Sequence, residues 1–278
     1  ARFAWYSLLA GASSAVLLIP EIIVLSASGS AEDGFPKQIE FYFHIIAELG
    51  RGATTATSYL GNDHWPNLYA GAFCLLLVWL YVLNRRISWK EKLPRLWMLG
   101  FFLVSFANKQ LDFIWHGMHF PQALPGRQSF LYIFMILTMG FATVRKWKGT
   151  KLWHIVLSTV GAMALLLASG IFGDEDVTEP MSLLITALFI SVYGICLILI
   201  KLTRKQTRMA LFYFVFWIAI AELAVNMAIT GLGTTSRVAY TDKQEFYPKL
   251  LEMAKEDNEK LGGDAFYRVE DTGRKTKN

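Results

Sequence analysis

The chain has 278 residues, of which 54% are hydrophobic, 14% aromatic and 18% charged, a balance too apolar for a soluble domain of this length. The net charge of +5 comes from short basic clusters beside hydrophobic windows, a pattern of membrane topology rather than of nucleic-acid binding. The apolar windows lack the period-two alternation of a membrane barrel, so composition points to an all-α, polytopic membrane protein.

In chain order, hydropathy predicts seven spans: 3–27, 66–84, 95–109, 129–144, 152–172, 182–200 and 209–230. Windows of about eighteen uncharged residues suffice to cross a hydrocarbon core of about 30 Å. Hydrophobic sequence begins almost at Ala1 with no initiator Met or signal peptide, so the chain is expected to be cut from a longer one. The first outer loop contains FPKQIEFYFHIIAELGRG. Lys37, Glu40, His44, Glu48 and Arg51 recur there at three- and four-residue spacing, and Phe35, Ile39, Phe43, Ile46 and Leu49 fill another face. That spacing predicts an amphipathic helix, either flat in the membrane interface or packed on the bundle surface.

Charge then orients the bundle. Arg85, Arg86, Lys90, Lys92 and Arg95 follow the second span; Arg145, Lys146, Lys148 and Lys151 follow the fourth; Lys201, Arg204, Lys205 and Arg208 follow the sixth. The positive-inside rule makes these loops cytoplasmic. The alternate loops are acidic, so residue 1 is expected inside and the tail from about 231 outside. Residues 1–232 form the transmembrane bundle and 233–278 an extracytoplasmic segment with nine basic and nine acidic residues. In it, Thr241 and Gln244 form a capping box ahead of a helix of about twenty residues that Gly262-Gly263 ends, and AFYRVE reads as the first strand of a domain continuing beyond it. Cys74 and Cys196 lie inside apolar windows and read as small buried residues, not a disulfide.

The stretch NKQLDFIWHGMHFPQALPGRQSF, residues 108–130, concentrates ionic groups in one outer hairpin. Asp112, His116 and His119 are four and three apart, so on a helix all three share a side. Pro121 and Pro125 break that helix, and Gly126 permits a turn that delivers Arg127 to the fourth span. A guanidinium there suits a phosphate, although an anchor snorkelling to headgroups accounts for it equally. The imidazoles can supply hydrogen bonds or proton transfer, or simply fix the loop. Asp112, His116 and His119 have zinc-ligand chemistry, but the spacing is weakly specific and no metal site is assigned. Within spans, Glu222 and Asn226, four apart, face the bundle interior and either line a cavity or tie helices together; Glu21 follows Pro20. GNDHWPNLYAG makes a second polar approach through Asp63, His64, Asn67 and Tyr69, with Trp65 and Tyr69 expected as interface anchors. Nucleophile elbows, phosphate-binding Gly loops and dinucleotide fingerprints are absent.

PNLYAG, then N-x-x-x-x-x-IWHGMHFP-x-x-LPGRQSFLY, then Glu222 with Asn226, then FYRVE, together resemble the YfhO family of bacterial membrane proteins along the whole chain. The resemblance implies a polytopic glycosyltransferase of GT-C architecture. It transfers a sugar from an undecaprenyl-phosphate donor to an envelope polymer such as lipoteichoic acid, outside the bacterial cytoplasmic membrane. It implies further that the catalytic acid lies in an earlier outer loop, upstream of this stretch. Arg127 then becomes a carrier-phosphate contact, His116, His119 and Lys109 supporting groups near phosphate or sugar, and Asp112 a weak candidate base; Glu222, Asn226 and Asn67 are cavity polar groups. No cofactor is implied and a divalent cation is left open. Partners are the lipid-linked sugar, the polymer acceptor and membrane lipids, with no nucleic acid. The alternatives are a lipid or solute transporter using Glu21 and Glu222, and a non-catalytic scaffold.

Overall fold

The computed structural model describes residues 2–26, 34–58, 64–121, 125–173, 179–231 and 246–260. Their helices are α1 (Arg2–Ser26), α2 (Ala72–Leu83), α3 (Trp89–Ala107), α4 (Lys109–Trp115), α5 (Ser129–Arg145), α6 (Leu152–Phe172), α7 (Pro180–Leu202), α8 (Lys205–Thr230) and α9 (Phe246–Lys260), with no strand among the described residues. Residues 1–231 form one compact unit and 232–278 another.

A helix overlaps each of the seven hydropathy windows, but the helices are unequal. Four stretches, Arg2–Val24, Leu152–Phe172, Pro180–Leu202 and Thr207–Thr230, are long and apolar enough to cross a membrane. α2 and α5 are apolar yet only 12 and 17 residues long. α3 opens on WKEKLPR, which spends its first two turns on charge. The shortness of α2 has a local cause: residues 66–71 leading into it take no regular secondary structure, and Gly71 sits at φ +97°, where a non-glycine residue is strained.

α2 is the axis of the bundle. Ala72, Leu76 and Leu80 recur every four residues along it and meet Ile155, Ala162 and Leu166 of α6 and Ile190, Tyr193, Leu197 and Ile200 of α7. On its other side Leu68, Phe102 and Phe106 close on Tyr132 and Ile136 of α5. α6 and α7 approach so tightly that a Cβ on Gly194 would stand 2.6 Å from Thr159 Oγ1. Outward faces stay apolar, with Leu167, Ile171, Leu184, Leu188, Trp217 and Met227 all more than half exposed, as lipid-facing helices require. Cys74 is half-buried and Cys196 buried, both as free thiols.

The expected amphipathic helix over 35–52 does not form. Residues 34–46 are irregular, and a 3₁₀ turn follows at Ala47–Gly52. The reason is backbone pairing with a distant segment: Tyr42 N–H donates to Ala107 O at 2.9 Å and Lys109 N–H to Glu40 O at 3.0 Å. A strand-like bridge to α3's end competes with helical hydrogen bonding and wins. Of the five polar residues, Glu48 and Arg51 turn inward and are buried, while Lys37, Glu40 and His44 stay exposed. In the second unit, α9 is described over Phe246–Lys260, within the stretch where a helix was expected, and the residues on either side lie outside the described ones. The Thr241–Gln244 pair, AFYRVE and Asp63 lie outside the described residues.

Candidate functional site

α4 exists because Asn108 caps it, its side-chain oxygen accepting from Leu111 N at 3.0 Å. The cap sets Asp112 in the first turn, 2% exposed, and the backbone pairing of residues 40–42 brings Tyr42 over it. Tyr42 OH donates to Asp112 Oδ2 at 3.2 Å. The Tyr42 ring stacks on His64 at 4.1 Å with planes 1° apart, and His64 Nδ1 reaches the same oxygen at 3.1 Å. One turn on, His116 Nδ1 lies 3.1 Å from Asp112 Oδ1 and 2.9 Å from its backbone oxygen. A carboxylate and a carbonyl only accept, so both imidazoles carry their proton on Nδ1 in this arrangement. His116 Nε2 is left buried, with no hydrogen-bond partner among the described residues.

Burial alone raises the Asp112 carboxyl, but hydrogen bonds and charge from His116 and His64 outweigh it and hold the group below its ordinary 3.8. For His116, burial lowers the imidazole; the hydrogen bonds to Asp112 exceed that and the net displacement is upward from 6.5, with Arg127 nearby opposing it. The pair therefore favours carboxylate with imidazolium, strongest between those two ordinary values and weakening as pH rises through the His116 value.

Arg127 is exposed at the mouth of α5 and pairs with no carboxylate among the described residues. Its position is set by Gly126 at φ +62°, pressed against Pro66 so closely that a Cβ would stand 3.0 Å from the proline's own. Arg127 lies within electrostatic range of His116, which is bonded to Asp112. His119 is not on their helix, because α4 ends at Trp115 and the chain leaves through Gly117 at φ +75° and Met118 at φ +66°. The expectation that three residues share one face holds for two of them. Lys109 turns away from the cluster, pairing with Glu40 at 2.8 Å beneath the Phe120 ring.

A second polar knot lies deeper at the same end. Glu222 Oε1 accepts from Thr54 Oγ1 at 3.0 Å, Tyr69 OH at 2.9 Å and Ala72 N–H at 2.6 Å, and Oε2 accepts from Tyr193 OH at 2.7 Å. Asn226 Oδ1 accepts from Thr55 N–H at 2.7 Å. Thr54 N–H also donates to Thr186, and Thr55 Oγ1 meets Ser182. These residues bind the 47–57 segment to α7 and α8, so of the two roles open to Glu222 and Asn226 the tie is the one the contacts describe. Asn67 Oδ1 accepts from buried Arg51, which also donates to the Thr57 and Pro66 carbonyls.

Trp65 and Tyr69 are not interface anchors: Trp65 is 6% exposed and stacks on Phe43 at 4.0 Å, and Tyr69 spends its hydroxyl on Glu222. Sequence reasoning missed Tyr42 and passed over Glu48. The Glu48 carboxyl is wholly buried, both oxygens without a partner among the described residues, and burial pushes it from 4.5 up to about 9. Its signal was an acid inside a segment rich in Phe and Ile. Among the described residues no three His, Cys, Asp or Glu side chains are placed to hold a metal ion.

Helices able to cross a membrane, joined by loops that gather buried acids and imidazoles at one end, define a multi-pass helical membrane protein. A family model described as bacterial membrane protein YfhO matches residues 1–278, and the chain belongs to that family. No curated protein and no solved structure matches it.

Proposed function

We propose that this chain is the part of a membrane glycosyltransferase that receives a sugar from an undecaprenyl-phosphate donor for transfer to an envelope polymer at the outer face of the cytoplasmic membrane. One observation carries the reading: an exposed guanidinium, without a carboxylate partner among the described residues, lies within electrostatic range of an imidazole that Asp112 orients and charges. Two cations at the mouth of a helical hairpin match the phosphate of a lipid carrier, whose headgroup sits at that depth. Departure of that phosphate builds negative charge, which positioned donors stabilise more than they stabilise the bound donor. Asp112 serves as the anchor of two imidazoles, a role at odds with that of an open base. Membership of the YfhO family and the pairing of this cluster with acidic loops support the same reading. The transporter alternative needs Glu222 as a coupling group, and its four donors weigh against that.

The test uses the full-length protein in membrane vesicles and follows a labelled sugar from its polyprenyl-phosphate donor to polymer. Arg127→Ala is expected to lower transfer on the order of 10²-fold, the usual consequence of deleting one transition-state donor. Arg127→Lys keeps the charge without the fork and recovers part of the rate. Unchanged transfer by Arg127→Ala at normal expression overturns the phosphate role.

A further inference from the structure

The opposite end of the bundle carries a different feature. A cavity of about 310 Å³ opens between α2, α5, α7 and α8, walled by Phe73, Leu77, Val144, Leu197, Phe216 and Ala219, with Trp147 and Phe212 at its basic end. Its lining is almost entirely apolar. Along α8, Phe212, Val215, Phe216 and Ala219 recur at three- and four-residue spacing, a groove wall about 10 Å long at 1.5 Å per residue. The Trp147 ring meets Phe212 edge-on at 6.3 Å, and Lys201 Nζ lies 4.6 Å above that same ring.

The charges fall one helical turn beyond the groove's rim. Lys201 is four residues past Leu197 on α7, and Arg208 four residues before Phe212 on α8, so each projects from the face that lines the cavity. The two cations lie within electrostatic range of each other. Arg85, Lys92, Lys151 and Lys201 all act on His154 at the start of α6. Against them the three basic loops offer one carboxylate, Glu91, and Lys146 at 2.9 Å and Arg95 at 3.7 Å already engage it. Arg208 Nε, Thr150 Oγ1 and His154 Nε2 are buried without a hydrogen-bond partner among the described residues. Topological preference for Lys and Arg accounts for the number of charges at this end, but it requires neither a groove nor cations on the helix faces that line one.

We propose that this end binds an anionic phospholipid, its phosphate between Lys201 and Arg208 and one acyl chain in the groove between α2, α5, α7 and α8. An anion relieves the repulsion between the two cations, and the chain covers apolar surface that the protein leaves open. Basic pockets between membrane helices have this preference for acidic headgroups. The site is independent of the Asp112 cluster and of the transfer reaction.

The full-length protein is purified in phosphatidylcholine nanodiscs with and without phosphatidylglycerol, and lipid retained after detergent washing is counted by native mass spectrometry alongside the melting temperature. Phosphatidylglycerol is expected to be retained at least tenfold better than phosphatidylcholine and to raise the melting temperature. Lys201→Gln with Arg208→Gln abolishes both effects, and so does Ala219→Phe, which fills the groove and leaves the cations; if the charge variant does not fold, Ala219→Phe decides. Equal retention of the two lipids, or full retention by Ala219→Phe, overturns the proposal. Stabilisation by inorganic phosphate alone, equal to that by phosphatidylglycerol, overturns it too, because the chain would then contribute nothing.

Discussion

At the scale of single residues the contrast between three buried acids is instructive. Glu222 meets four donors and Asp112 three, whereas Glu48 meets none among the described residues, although all three are at most 2% exposed. Hydrogen bonds to the charged form hold Asp112 down, and burial without them drives Glu48 up to about 9. The consequence for stability has a definite sign. Between pH 4.5 and about 9 the folded protein keeps a proton on Glu48 that the unfolded chain releases, so stability falls with rising pH, by up to about 1.4 kcal/mol per unit. Glu48→Gln keeps the shape and cannot titrate. Its melting temperature is expected to exceed the parent's at pH 8.5, with the gap closing toward pH 5; parallel decline of the two proteins would show that Glu48 ionises in the folded state. Glu222 and Asn226 were legible from sequence because a charged or amide side chain deep in an apolar window stands out. Tyr42 was not, because its partner Asp112 lies 70 positions away and nothing local marks the pair.

At the scale of elements, hydropathy placed every long helix, and α6 to the residue, because burying backbone in lipid leaves few alternatives to a helix. It failed over residues 35–52. The three- and four-residue spacing there was genuine, yet the backbone was committed to the end of α3 by hydrogen bonds that sequence does not display. The resulting segment carries Thr55 at φ +68°, an unfavourable conformation for a β-branched residue, held by Asn226 and Ser182. The contact of α6 with α7 invites a sharper test. Thr159 is β-branched and bonded to the Ile155 carbonyl, so it cannot swing clear of a new Cβ at position 194. Gly194→Ala is expected to cost about 1–3 kcal/mol, read from denaturant or thermal unfolding in detergent. Thr159→Ala in the same chain removes the two atoms at 2.6 and 3.0 Å and restores most of the loss. Additive losses in the double variant would mean that the strain lies elsewhere.

At the scale of the whole molecule the ends of the bundle are chemically opposite. One gathers Asp112, Glu48 and Glu222 with the imidazoles of His64 and His116, and the other gathers Lys92, Arg145, Lys146, Lys201 and Arg208 with a single engaged carboxylate. The positive-inside rule predicts an orientation with the Asp112 end outside, and the proposed sugar donor at the outer leaflet would reach Arg127 only in that orientation. Thiol labelling in intact cells tests it. The native thiols are first removed as Cys74→Ala and Cys196→Ala, small changes at half-buried and buried sites. Ser58→Cys and Ser88→Cys then place exposed thiols at the two ends, each differing from serine by one atom. A membrane-impermeant maleimide is expected to modify position 58 in intact cells and position 88 only after permeabilisation. The reverse pattern would put Arg127 in the cytoplasm, where an outward-facing carrier cannot meet it, and transfer at the outer face would fall with it.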